Sequence, residues 1–152
     1  MAHLAPITQE RDMRTRLSLT LEDANRAVEA CFAAARAAGR SVSIAVTDDA
    51  GGLLAFQRMD GARVHTIDFA IRKARASAMV GAPTAMIEAM SRDRPSQAGD
   101  MAVGQGGLPM LHQGQCVGAV GVSGALPEQD EAIARAGLAG IEALEGVAPP
   151  AT

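Results

Sequence analysis

The sequence predicts a single α+β domain, an antiparallel sheet flanked by helices. Two pairs of strand-like runs are each joined by a short turn, which marks hairpins and hence antiparallel pairing. Amphipathic helical stretches precede, separate and follow them, in the order helix, hairpin, helices, hairpin, helix, with no repeat of fixed period. The strands do not alternate one by one with helices, so a Rossmann arrangement is not expected. At 152 residues, 48% hydrophobic and 20% charged, the chain is long enough to bury one core.

Each element has a local reason. Residues 1–17 are polar and aperiodic and read as an N-terminal arm; 18–147 form the domain and 148–152 a tail. "TLEDANRAVEACFAAARAAG" is a helix: Thr20 is placed to cap it, with Asp23 three residues on, and Gly39 ends it. Its apolar face is Leu21, Ala24, Val28, Cys31 and Ala35. "SVSIAVT" and "LLAFQRM" flank "DDAGG", whose Asp and Gly residues suit a hairpin turn. A helix follows from Thr66 to Val80, broken by Gly81 and Pro83, then a shorter one from Thr84 to Met90. Residues 91–107, with Pro95 and four glycines, read as a long loop of the sort that covers a site. "LPMLHQ" and "QCVGAVGVS" pair around Gly114. The closing helix has Pro127 in its first turn, Glu128, Asp130 and Glu131 at its positive dipole end, and Ile133, Gly137, Ile141 and Leu144 as its apolar stripe.

Composition removes several functions. Net charge is −3 and the chain has three Phe, no Tyr and no Trp, which leaves neither a basic field nor stacking platforms for nucleic acid. No apolar run reaches the length of a membrane span or a signal peptide, so a cytoplasmic protein is expected. Cys31 and Cys116 belong to no CxxC or Cys/His pair and read as small buried apolar residues, not a disulfide. His65 and His112 are isolated from other ligand types, so no metal site is expected.

One residue stands apart. Lys73 is the single lysine among fourteen basic residues. On the helix that carries it, Ile67, Ala70, Ile71, Ala74 and Ala78 form one apolar stripe, and Asp68, Arg72, Arg75 and Met79 a solvated cluster. Lys73 projects with Phe69, Ala76 and Val80, a second, weaker apolar face. A helix covered on both sides holds such an amine partly desolvated, which suits a general base or an anion-binding group; a lysine that snorkels to water is the bland alternative. At the end of the second strand, Arg58 and Asp60 share a face. They read either as a structural ion pair or as a carboxylate clamp (Arg58) beside a proton carrier or Lys73 partner (Asp60). "GAVGVSGALPEQDEA" is a glycine-rich strand end feeding a helix. It lacks the Walker lysine, and Ser123 is in no nucleophile elbow.

"VTDDAGGLLAFQRMDGA", "AIRKARASA", "GGLPML" and "GAVGVSGALPEQDEAIARAGL" together resemble the GlcG/HbpS family, the DUF336 domain, from about Leu19 to Ile141. The resemblance implies a profilin-like antiparallel sheet flanked by helices and assembly into homo-oligomers. It also matches Lys73 to the family's "RKA" segment and Arg58-Met59-Asp60 to its "RMD" segment. Members are linked to haem binding, haem degradation and redox sensing, to glycolate operons, and to corrinoid adenosyltransferase fusions.

Two functions follow as expectations. The first is a binding module for a carboxylate-bearing ligand, haem or another tetrapyrrole, held by Arg58, Met59, Lys73, Met110, Gly121, Ser123 and Gly124. The second is an isomerase, lyase or hydrolase of a small organic acid, with Lys73 and Asp60 in acid–base roles and Arg58 on the substrate carboxylate. A structural oligomer in which Lys73 pairs across subunits is a third.

Overall fold

The computed structural model describes residues 13–101, 103–141 and 144; the start of the expected arm and the 148–152 tail lie outside these. Four strands form one antiparallel sheet in the order β2-β1-β4-β3, from β1 (Ser43–Asp48), β2 (Leu53–Arg58), β3 (Gly107–His112) and β4 (Gln115–Ser123). Helices α1 (Leu21–Ala37) and α5 (Pro127–Ala139) cover one face. The other face carries α2 (His65–Val80), with α3 (Thr84–Asp93) beside it. The expected fold class holds.

The alternation of strand residues sorts the layers. Ile44 and Val46 of β1, Val120 and Val122 of β4, and Leu108 and Met110 of β3 meet Ala27, Cys31, Ile133 and Leu138 in the main core. Ala45 faces the opposite way, onto Ala70 and Ala74 of α2, with Phe56 beside them. Gly121 lies on this second face. A Cβ there would run into Ala70 O and come within 2.5 Å of Ala74 N, so the glycine lets the α2 backbone rest on β4. Thr47 is also on this face, fully buried, and among the described residues its hydroxyl has no hydrogen-bond partner.

The turns follow their chemistry. Thr20 Oγ1 accepts the Asp23 N–H at 3.2 Å and starts α1. Asp48 Oδ1 accepts N–H groups of Ala50 and Gly52 at 2.9 and 2.8 Å, closing the first hairpin. Gln113 and Gly114, both with positive φ, make the two-residue turn of the second. Cys31 and Cys116 are both free, and burial pushes the Cys31 thiol up to about 12.

One expectation is corrected here. Residues 91–107 are not one loop: α3 runs on to Asp93, Pro95 opens a short helix α4 (Pro95–Ala98), and a 3₁₀ turn spans Gly99–Met101. Proline lacks only an N–H that a first helical turn leaves unpaired anyway, so Pro95 starts a helix instead of preventing one. Asp130 and Glu131 stand at the N-terminal end of α5, as expected, and at 3% and 6% exposed they face inward.

Candidate functional site

Lys73 is 6% exposed, and its stem runs from α2 toward the β3 side of β4. The reason lies in the end of the β3–β4 ladder. In an antiparallel pair the N–H and C=O of one residue point to the same neighbour. The Val122 N–H is taken by Gly106 O at 3.0 Å, but among the described residues Gly106, at φ +129°, returns no N–H bond to Val122 O. The Lys73 ammonium fills the vacant rung, donating to Val122 O at 2.9 Å and to Asp130 Oδ2 at 3.2 Å. Asp130 Oδ1 accepts the Ala125 N–H at 2.9 Å, so the same carboxylate holds the turn into α5. Next to it, Gln105 Nε2 donates to Glu131 Oε2 at 2.8 Å.

Burial governs the titration of this pair. It pushes the Lys73 amine below its ordinary 10.5, against the pull of Asp130, and pushes the Asp130 carboxyl above its ordinary 3.8, against the pull of Lys73. Both members are driven toward neutrality, and neither opens onto bulk water.

The outer face of α2 is different. Arg72, Arg75, Ala76 and Met79 form the floor of a groove of about 590 Å³ whose wall is Asp100 and Met101. The Arg72 guanidinium reaches Asp100 O at 3.4 Å, and Met79 is 62% exposed. A narrower apolar cleft continues from Met101 past Val80, Ile87 and Met90 to Arg94 and Gln97. Two cations, two thioethers and a small alanine floor can hold the charged edge and apolar face of one ligand.

Arg58, Met59 and Asp60 line a separate pocket of about 320 Å³ with Phe32, Arg36 and Gln57. Arg36 stacks on Phe32 at 4.7 Å, and among the described residues Arg58 and Asp60 form no ion pair with each other. Several site expectations therefore need correction. The carboxylate beside Lys73 is Asp130, not Asp60. Arg58 and Lys73 do not share a corner, because β2 and β3 are opposite edges of the sheet and Lys73 reaches the β3 side. Met110 is fully enclosed in the core on the face away from α2. Gly121 lies under α2 and Ser123 is buried, whereas Gly124 is exposed, with room only for a glycine beside Ser41 O and Val42. The expected second face of α2 is real, but Ala76 occupies it, against Ile87 and Val103, while Phe69 and Val80 are exposed.

Sequence reasoning missed the roles of Asp130, Gln105 and Gly106 and the groove residues Arg72, Arg75 and Met79. A signal for Asp130 was present: it stands three and seven residues before Ile133 and Gly137, on the apolar stripe of α5, where a carboxylate needs a buried cation. Among the described residues no cluster of three or more His, Cys, Asp or Glu side chains could hold a metal ion.

The family model described as "Haem degrading protein HbpS-like" matches residues 19–139. The chain belongs to the HbpS-like family. Among HbpS-like relatives, protein GlcG of Escherichia coli K12 is 36% identical over 114 residues, 73% of this chain and 85% of GlcG. An uncharacterised 15.0 kDa protein encoded between dhaT and dhaS in Citrobacter freundii is 33% identical over 128 residues, 80% of this chain and 90% of that protein. The crystal structure of Streptomyces reticuli HbpS, in a double-mutant form, is 34% identical and superposes with a TM-score of 0.81 over 91% of this chain and 97% of that one.

Proposed function

We propose that this HbpS-like chain binds a planar, carboxylate-bearing ligand, haem or another tetrapyrrole, in the groove over α2. The observation that carries the reading is the donor set of that groove. Arg72 and Arg75 stand beside Met79 and Met101 around a volume of about 590 Å³, within the roughly 300–1,000 Å³ usual for small-molecule sites. Guanidinium groups pair with propionates in a fixed fork, and the thioethers offer the ring a polarizable apolar face. The residues fit the group by size and chemistry. The description of the matching family as haem-degrading supports the same ligand class.

The test is a hemin titration of the purified protein. A stoichiometric Soret shift is expected, weakened about tenfold by Arg72→Ala/Arg75→Ala because two charge-assisted contacts are lost. No shift, or one that the double variant leaves unchanged, removes the proposal.

A second reading rests on the pocket that joins Arg36 and Arg58 with Asp60. Two guanidiniums and one carboxylate around about 320 Å³ suit a small organic acid that also carries a hydroxyl or amine. For an enzyme on such a substrate, Arg58 binds the carboxylate and Asp60 moves the proton. Lys73, closed off with Asp130, would have to be uncovered to take part. Isothermal titration with a panel of hydroxy acids, repeated on Arg58→Ala, decides it: heat that Arg58→Ala abolishes supports this reading, and no heat in either protein removes it.

A further inference from the structure

We infer that Lys73 and Asp130 are positioning residues for the groove, fixing its wall against its floor; the inference rests on the groove being the ligand site. Lys73 sits on α2, whose outer residues Arg72, Arg75 and Met79, with Ala76 buried beneath them, are the floor. Its amine bonds Val122 O and Asp130, and it lies 3.0 Å from where a Cβ on Gly106 would be.

The run 103–107 between the wall and β3 has four anchors. Val103 is buried against Ala76 and Ile87. Gln105 bonds Glu131, Gly106 O accepts the Val122 N–H, and Gly107 N–H is held by Thr84 Oγ1 at 2.8 Å. Two of the four converge on the Lys73–Asp130 pair: Val122 is the residue whose carbonyl the amine occupies, and Glu131 follows Asp130 on α5. The amine closes the end of the ladder where Gly106 leaves β4, so β4, α5 and the turn move as one with α2. Taking it away leaves Val122 O without its donor and Asp130 as a buried lone carboxylate, and the run 103–107 loses the frame that aligns Met101 with Arg72 and Arg75.

The decisive measurement is amide hydrogen exchange in ligand-free protein, read at Val103, Gly107 and Val122, whose N–H groups are held by Met101 O, Thr84 Oγ1 and Gly106 O, with Ile44 and Val46 as core references. In Lys73→Met these three amides are expected to exchange about tenfold faster or more relative to the references, as local opening replaces protection. The double variant Lys73→Met/Asp130→Asn has no lone buried charge, so it keeps the experiment decisive if the single variant fails to fold. Its thermal midpoint should return toward wild type while the three amides stay fast, because no donor replaces the amine at Val122 O. Recovery of both together would mean that the pair merely stabilises the fold, and would overturn the inference. Unchanged exchange in folded Lys73→Met would overturn it equally. Hemin titration of the same proteins separates the two claims. Fast exchange with wild-type hemin affinity overturns the positioning role. Altered exchange in a protein that never binds hemin removes the ligand and leaves the mechanical tie standing.

Discussion

At the scale of single residues, the cost of burying charge decides the behaviour of Lys73 and Asp130. Removing one member of a buried pair leaves the other uncompensated, typically at about 3–5 kcal/mol, whereas replacing both is often close to neutral. Lys73→Met should therefore lose about that much in urea unfolding, and Lys73→Met/Asp130→Asn should recover most of it. The pH dependence has a definite sign. Asp130 binds its proton more tightly in the folded than in the unfolded chain, so its contribution to stability is full below 3.8 and is lost as pH rises through the raised folded value. Lys73 is the mirror case: its contribution is full above 10.5 and is lost as pH falls through the lowered folded value. Urea midpoints followed from neutral pH down toward 3.8 should thus show wild type gaining on Asp130→Asn. Thr47 offers a simpler case. Its hydroxyl is buried without a partner, so Thr47→Val should raise stability by about 1 kcal/mol, seen as a higher melting temperature.

At the scale of elements, α2 is held by closeness to the sheet on one side and presents the groove on the other. Gly121 sets that closeness. Since a methyl there would meet backbone atoms of Ala70 and Ala74, which cannot rotate away, Gly121→Ala should cost about 1–3 kcal/mol or more and lift α2 off β4. Circular dichroism melts would record the loss, and hemin binding should weaken with it. The same element shows what could be read in advance. The Thr20 cap, the Asp48 turn and the stripe of Ala70 and Ala74 depend on residues a few positions apart, and all were legible in the sequence. The glycine-rich end of β4 stood out in the sequence, and at Gly121 the body that comes close is the α2 backbone. The partner of Lys73 lies 57 residues away, and only the packing of α2 and α5 around the end of β4 brings Asp130 to it. Arg72, Arg75 and Met79 were rightly read as solvated; that Met101 would rise opposite them depends on the helix that Pro95 starts.

At the scale of the whole molecule, binding and folding are linked through the same contacts. The groove takes its floor from α2 and its wall from the turn after α4, two segments that part when the chain unfolds, so a ligand seated there binds the native state alone. Hemin at about a hundred times its dissociation constant should add about 2.7 kcal/mol to stability. In a domain of this size that raises the melting temperature by about 5–10 °C. Arg72 and Arg75 are exposed and belong to no core cluster among the described residues, so Arg72→Ala/Arg75→Ala should melt with wild type in the absence of hemin and lose about half of the rise in its presence. Lys73→Met should differ on both counts, starting lower because a buried carboxylate is left alone and gaining less because the wall is no longer held. A thermal-shift series over hemin concentration on these three proteins reads both effects at once. Equal rises in all three would place the ligand elsewhere on the molecule, with the Arg36–Arg58 pocket the next to examine.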